Sequence, residues 1–212
     1  MYVGVAPDLA QSLAAALGVP LTFVPYVDES ALAASIGRKE WDVAFIAFNR
    51  TLVPAIDFSQ PFMAADFTYA VSGDNPRIRA IGDADRPDVR IAVPMSGAAI
   101  DLLGERYPAK QPVPVAAGKM AMRAVFSTGR ADAYAESAHI LSGMTRQDAG
   151  FRILDGRYAT ADYVVAVQTD RPTGLAYVNV FLDSAKTSGE IEKAIKKAAL
   201  IGVNVVPNSA KQ

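Results

Sequence analysis

Apolar and polar positions along this chain repeat with two periods, one of helices and one of strands. Near the start, VGVAPDLAQSLAAALGVP puts Leu9, Leu13, Ala16 and Leu17 on one helical face, opened by Pro7 and Asp8 and closed by Gly18 and Pro20. LTFVPY then predicts a short buried strand. DESALAASIGRKEW predicts a second helix with Asp28 or Ser30 as N-cap and Gly37 near its end, and WDVAFIAF a further strand. Strands alternating with helices predict a parallel, doubly wound α/β sheet. After this block comes AIDFSQPF. Pro61 fixes φ and has no N–H, which excludes the interior of a helix or a central strand. The stretch therefore reads as a shaped corner with Phe58 and Phe62 as aromatic anchors.

From Thr68 a second α/β block begins. TYAVS is a strand that runs into the turn-rich GDNPR, RIAVPM a buried strand, and GAAIDLLGERY a helix. PVPVAAG, KMAMRAVFSTG and ADAYAES continue as strand, helix stopped by Gly129, and strand. HILSGMTRQDAG reads as helix and loop, and RILDGRY and ADYVVAVQ are extended. The close, TGLAYVNVFLDSAKTSGEIEKAIKKAAL, is helical, with an apolar face through Leu175, Val178, Phe181 and Leu182 and a break near Ser188–Gly189.

Composition narrows the function classes. Of 212 residues, 51% are apolar and 20% charged, a globular balance that sets disorder aside. A net charge of −1 offers no basic stripe for a phosphate backbone, so nucleic acid is not an expected partner, and KAIKK reads as the solvated face of a helix. The absence of cysteine excludes disulfides, cysteine-based zinc sites and thiol nucleophiles. The longest apolar runs, WDVAFIAF and YVVAV, fall well short of the roughly 20 residues of a membrane-crossing helix. No charged start leads into an apolar run, so a secretory signal is expected to have been removed or never to have been part of this chain. His139, the only histidine, is expected to pack or sit on the surface. No metal or cofactor is expected. Met120 and Met122 read as core, and Trp41 as buried at a strand start.

Ligands of open α/β sheets lie beyond the carboxyl ends of the strands, where helix N-termini converge. After WDVAFIA that end is Phe48-Asn49-Arg50-Thr51. Arg50 is either an ordinary surface arginine or a two-pronged grip on a carboxylate. After RIAVPM it is Ser96-Gly97-Ala98, whose free N–H groups favour an anion. ADAYAES ends in Glu136 and Ser137, which strand alternation points to opposite sides. Glu136 is the visible candidate for a carboxyl of raised pKa in an acid-catalysed reaction. No nucleophile elbow, P-loop or dinucleotide fingerprint is present.

The motifs Asp8-Leu9-Ala10, Leu17-Gly18-Val19, Trp41-Asp42, Asp57-Phe58-Ser59-Gln60-Pro61-Phe62, Ser96-Gly97 and Gly129-Arg130-Ala131-Asp132-Ala133 run in order along nearly the whole chain. In that order the chain resembles extracellular solute-binding protein family 3, the amino-acid-type binding proteins of bacterial ABC importers. The resemblance implies a periplasmic-binding-protein-like α/β fold of two lobes joined by two extended crossovers, with a ligand cleft between them. Lobe one would be residues 1–71 plus 165–212, and lobe two the insert 72–164. The family's strand before the first helix is expected to be missing here. Implied too are a ligand site of Phe48, Asn49, Arg50, Ser96, Gly97, Ala98, Glu136 and Ser137, a small polar or anionic solute, a membrane permease as partner, a periplasmic location and a monomer. The same fold class includes cyclohexadienyl dehydratases and ligand-sensing domains, which stand as alternatives. Family members that bind α-amino acids place an arginine where this chain has Leu52 and an aspartate where it has Ser137, so ordinary α-amino acids are expected to bind weakly.

Overall fold

From its start the chain runs through α1 (Val5–Leu17), α2 (Glu29–Ser35), β1 (Val43–Ala47), β2 (Ile56–Phe58) and β3 (Met63–Ser72). It continues with β4 (Ile91–Pro94), α3 (Ala98–Arg106), β5 (Val113–Val115), α4 (Lys119–Ser127), β6 (Ala133–Ser137), α5 (Ala138–Thr145) and β7 (Phe151–Ile153). β8 (Ala159–Gln168), α6 (Pro172–Thr187), α7 (Glu190–Lys197) and β9 (Val203–Val205) complete it. This computed structural model describes residues 2–27, 29–95, 97–146 and 148–208. The chain divides into two units, Met1–Ala64 with Asp162–Gln212 and Ala65–Ala161, and it passes from one to the other within β3 and returns within β8.

In the first unit β8 is the organising strand. β1 pairs with it antiparallel from Val43↔Val167 to Ala47↔Tyr163, and β2 pairs with it from Ile56↔Gln168 to Phe58↔Ala166. These ladders are antiparallel, not parallel as the strand–helix alternation predicts, because the strand returning from the second unit supplies the partner for both. Trp41, Ile56 and Ala166 form a buried cluster beneath Tyr26, Leu32, Ile36 and Leu52. The Trp41 indole N–H donates to Ser35 Oγ at 2.8 Å, satisfying a donor whose burial would otherwise cost free energy. Trp41 is buried at its strand start, as expected.

The corner AIDFSQPF stays on β8. Ser59 N–H donates to Val165 O at 2.9 Å, and Val165 N–H donates to Ser59 Oγ at 2.8 Å, so a side chain replaces a ladder acceptor where the backbone turns. Gln60 then ties the corner to α6, its N–H donating to Asn179 Oδ1 at 2.9 Å and its Nε2 to Asp183 Oδ1 at 2.6 Å. Phe62 is fully buried edge-on to Phe45, and Phe58 packs edge-on to Phe48. Both aromatic anchors are filled by packing.

Three first-unit expectations are corrected. LTFVPY joins no ladder among the described residues, and its Leu21, Phe23 and Val24 are exposed. A run of strand-forming residues becomes a strand only when a second backbone lies alongside it. On α1 the buried stripe is Val5, Leu9, Ala10, Leu13 and Ala14, while Ala16 and Leu17 in the last turn are exposed. Helix α2 starts at Glu29, which places Ser30 inside it, and Asp28, the other N-cap candidate, lies outside the described residues.

In the second unit β4, β5 and β6 are parallel neighbours, registered Ala92↔Val113 and Ala92↔Tyr134, and β6 runs antiparallel to β3 from Phe67↔Ser137 to Ala70↔Tyr134. Ala70, Ala92, Val115, Met122, Val125, Tyr134 and Leu141 form its core. The segment Gly129–Ala133 has a physical role: Asp132 accepts from Arg90 Nε and Nη2 at 3.1 Å each and from the Arg90 N–H at 2.9 Å, fastening the start of β6 to that of β4. Met120 is a correction. It is 79% exposed while Met122 is fully buried, because the inward face of α4 is set by Met122 and Val125 at i, i+3, and Met120 falls on the other side.

Candidate functional site

In the first unit the carboxyl end of β1 leads into Phe48, Asn49 and Arg50. Phe48 is held by its N–H donating to Asp162 O at 2.7 Å and by the Phe58 ring at 5.1 Å, yet its own ring is half exposed. Asn49 caps a single 3₁₀ turn, Arg50–Leu52, its Oδ1 accepting from Thr51 N–H at 2.9 Å and from Thr51 Oγ1 at 2.6 Å. Its carboxamide oxygen is therefore committed to the turn. Arg50 is exposed, and its guanidinium makes no ion pair among the described residues. Leu52 instead faces the Trp41 cluster, so this position is used for packing.

In the second unit three parallel strands end along one edge. Met95 N–H donates to Val115 O at 3.0 Å, which sets the ends of β4 and β5 level. Gly97 caps α3 at φ 98° and Gly118 caps α4 at φ 105°, left-handed values that favour glycine, and neither helix start has a side-chain cap. Ala98 is the first residue of α3. Ser96 lies outside the described residues. Met95 is 64% exposed on this edge.

Glu136 and Ser137 end β6, and they differ as strand alternation predicts. Ser137 is fully buried, and its hydroxyl is held away from solvent. Glu136 is half-buried, with Oε1 accepting the Ser137 N–H at 2.7 Å, and it has no ion-pair partner among the described residues. Burial pushes its carboxyl above the ordinary range, against the opposing pull of the bonds from Ser137. Its negative charge is felt at the hydroxyls of Tyr134 and Tyr158, both also raised chiefly by burial, Tyr134 to about 12. Tyr158 stacks on Tyr69 at 4.7 Å and reaches Ala99 O at 3.5 Å, so the first turn of α3 and the end of β6 share one neighbourhood. His139 stands in the first turn of α5 with a buried, unpartnered Nδ1, and burial holds its pKa low.

Within each unit the structure thus groups the expected residues: Phe48, Asn49 and Arg50 at one strand end, and Gly97, Ala98, Glu136 and Ser137 at the other unit's edge. Tyr134 and Tyr158 were missed from the sequence. Tyr134 lies two residues before Glu136 on one face of β6, a signal that was available from strand alternation. Tyr158 is brought in by the turn before β8 and has no local signature. Among the described residues no His, Asp and Glu side chains converge as a metal site.

Residues 1–199 match the family of bacterial extracellular solute-binding proteins, family 3. Among solved structures, the ancestral amino acid-binding protein AncCDT-1, described as a precursor of cyclohexadienyl dehydratase, is 26% identical with a TM-score of 0.75, over 93% of this chain and 86% of that one. ArgBP from T. maritima, in a mutant form, is 24% identical with a TM-score of 0.75, over 93% and 85% of the two chains. AbpA from Streptococcus pneumoniae, an amino acid ABC transporter substrate-binding protein bound to L-arginine, is 21% identical with a TM-score of 0.75, over 92% and 83%. The two at lower identity share the fold. No curated protein matches the sequence.

Proposed function

The chain belongs to the bacterial extracellular solute-binding proteins, family 3, and from that premise we propose that it captures a small amino-acid-like solute in the periplasm and passes it, unaltered, to the permease of an ABC importer. The observation that carries the choice of solute is Glu136, a half-buried carboxyl without an ion-pair partner among the described residues. A buried acid left unpaired is costly, and a ligand ammonium or guanidinium would relieve that cost. Arg50, which makes no ion pair among the described residues, is proposed as a contact for a solute carboxylate, and the open start of α3 at Gly97 and Ala98 favours the same charge. With Ser137 buried, the acid one residue earlier takes the role that the family's aspartate has. This modifies the expectation that amino acids bind weakly.

Thermal-shift screening tests the reading with L-arginine, L-lysine, L-glutamine, L-glutamate and small organic acids. A ligand at a hundred times its Kd stabilises the folded state by about 2.7 kcal/mol. An amino acid carrying a second cationic group is expected to give the largest shift. A panel in which no amino acid or carboxylate raises the melting temperature would refute the proposal. The raised carboxyl of Glu136 also favours a second reading, that of an acid catalyst like cyclohexadienyl dehydratase. Turnover of prephenate or arogenate, lost in Glu136→Gln, would select it.

A further inference from the structure

The chain has no cysteine, so methionine thioethers are the sulfur atoms that an oxidant meets. Among the described residues Met63 and Met122 are buried, and Met144 packs half-buried against the core of the second unit. Met95 and Met120 stand out in solvent. A single exposed apolar side chain is ordinary on a protein surface. The position of Met95 in the sheet is not ordinary.

β4 lies between β6 and β5. It runs parallel to β6, with Ile91 opposite Ala133 and Ala92 opposite Tyr134. Carried on at the same offset, that register sets Pro94 level with Glu136 and Met95 level with Ser137. On the other side the Met95 N–H donates to Val115 O at 3.0 Å, which fixes the residue to the end of β5. Adjacent strands lie about 4.8 Å apart. The Met95 backbone is therefore one strand spacing across from the carboxyl proposed to hold the solute's cation, one residue further along, with its side chain exposed at that edge. Gly97 and Ala98, at the uncapped start of α3, follow directly in the chain. Met120 is placed differently: it stands in the first turn of α4, beyond the end of β5, and β4 separates that strand from β6.

We propose that Met95 is an oxidation site, and that the state of this one thioether governs solute capture. The inference rests on the solute reading above. Hydrogen peroxide is the oxidant. The sulfur lone pair attacks one peroxide oxygen, the S–O bond forms as the O–O bond breaks, and the proton on the attacked oxygen passes to the departing hydroxide, which leaves as water. Sulfur loses an electron pair and peroxide gains it. A flexible apolar side chain becomes a polar, chiral sulfoxide. The new oxygen is a hydrogen-bond acceptor beside the open N–H groups of α3, and it takes up donors that otherwise serve the solute's carboxylate. Loss of one charge-assisted hydrogen bond weakens capture by about tenfold.

Limited peroxide treatment of the full chain, mapped by peptide mass spectrometry and followed by calorimetry with L-arginine and L-lysine, tests the proposal. Met95 and Met120 are expected to gain an oxygen first, ahead of the buried Met63 and Met122. Affinity for the probes should fall by about tenfold and return after treatment with methionine sulfoxide reductases. Saturating L-arginine should slow oxidation at Met95 and leave the rate at Met120 unchanged. Met95→Leu, which removes the sulfur, should show the same affinity before and after peroxide, whatever its starting value, whereas Met120→Leu should lose affinity on oxidation as the parent does. Oxidation of Met95 with unchanged affinity would overturn the proposal, as would an oxidation rate at Met95 indifferent to bound probe, or a peroxide-induced loss that persists in Met95→Leu. A chain that binds its probe and is blind to Met95 oxidation keeps the solute reading and loses this inference. A chain that binds no amino acid before oxidation loses both.

Discussion

Replacing Ser59 by alanine removes one oxygen from the corner that follows β2, and the cost can be worked from its two bonds. Ser59 Oγ accepts the Val165 N–H at 2.8 Å and donates to Gln60 O at 2.8 Å, and the residue is 6% exposed. Alanine keeps the Ser59 N–H bond to Val165 O but leaves the buried Val165 N–H without an acceptor. An orphaned buried donor costs about 1–3 kcal/mol. A loss of about 2 kcal/mol is therefore expected, or about 4–8 °C in melting temperature for a chain of this size. Urea unfolding followed by tryptophan fluorescence suits the assay, because Trp41 lies in the same unit. Ser127→Ala, on an exposed position, serves as the control and should change stability by less than about 0.5 kcal/mol. A Ser59→Ala variant as stable as that control would refute the claim that the serine is a ladder acceptor.

Met122→Ala should lose about 2–5 kcal/mol of stability in denaturant unfolding, since the side chain is fully buried, whereas Met120→Gln should fall within about 0.5 kcal/mol of the parent. Arg50→Ala is expected to weaken a carboxylate-bearing solute by about tenfold or more in calorimetry with the fold intact, because a charge-assisted pair to arginine contributes about 1.5–3 kcal/mol; unchanged affinity would place the carboxylate elsewhere. Burial acts to raise the Asp132 carboxyl, but the bonds from Arg90 outweigh it and hold the folded-state pKa below the ordinary value. Its contribution to stability is therefore present above the unfolded value of about 3.9 and is lost as pH falls through the folded value. Asp132→Asn should be less stable than the parent at about pH 7, and the gap should close on acidification in parallel denaturation curves.

What could be read from the sequence was whatever one segment decides alone. Gly18, Gly129 and the Ser188–Gly189 break each end a helix where a left-handed or non-helical backbone is needed, and α1, α4 and α6 stop there. Pro61 placed the corner between β2 and β3 for the same local reason. LTFVPY failed because strand formation depends on a neighbouring backbone, and no local property of Leu21 or Phe23 reports whether one is present. Met120 was misplaced and Met122 rightly placed in the core, because two methionines two residues apart cannot share the inward face that Met122 and Val125 set on α4.

Glu136 shows how a local rule and a non-local one combine at the candidate site. Alternation alone separates Glu136 from Ser137 but leaves open which of them is fully buried; both faces of β6 are covered, and it is Ser137. Tyr134 settles the phase: its side chain packs with Ala92, Val115 and Met122, so the residue two further on continues the core face past its apolar end. The carboxyl there is partly buried, and its charge is felt at the hydroxyls of Tyr134 and Tyr158. A one-residue shift of β6 against β4 would put Ser137 there and send Glu136 to the opposite face. The bidentate bond of Arg90 to Asp132 fixes that register from the start of the strand. The aspartate of the Gly129–Ala133 segment therefore acts on the site from a distance, by deciding which side chain arrives at the edge. Asp132→Asn should accordingly weaken L-arginine binding as well as stability, and rescue of stability by an osmolyte without rescue of affinity would locate the defect in register and not in folding.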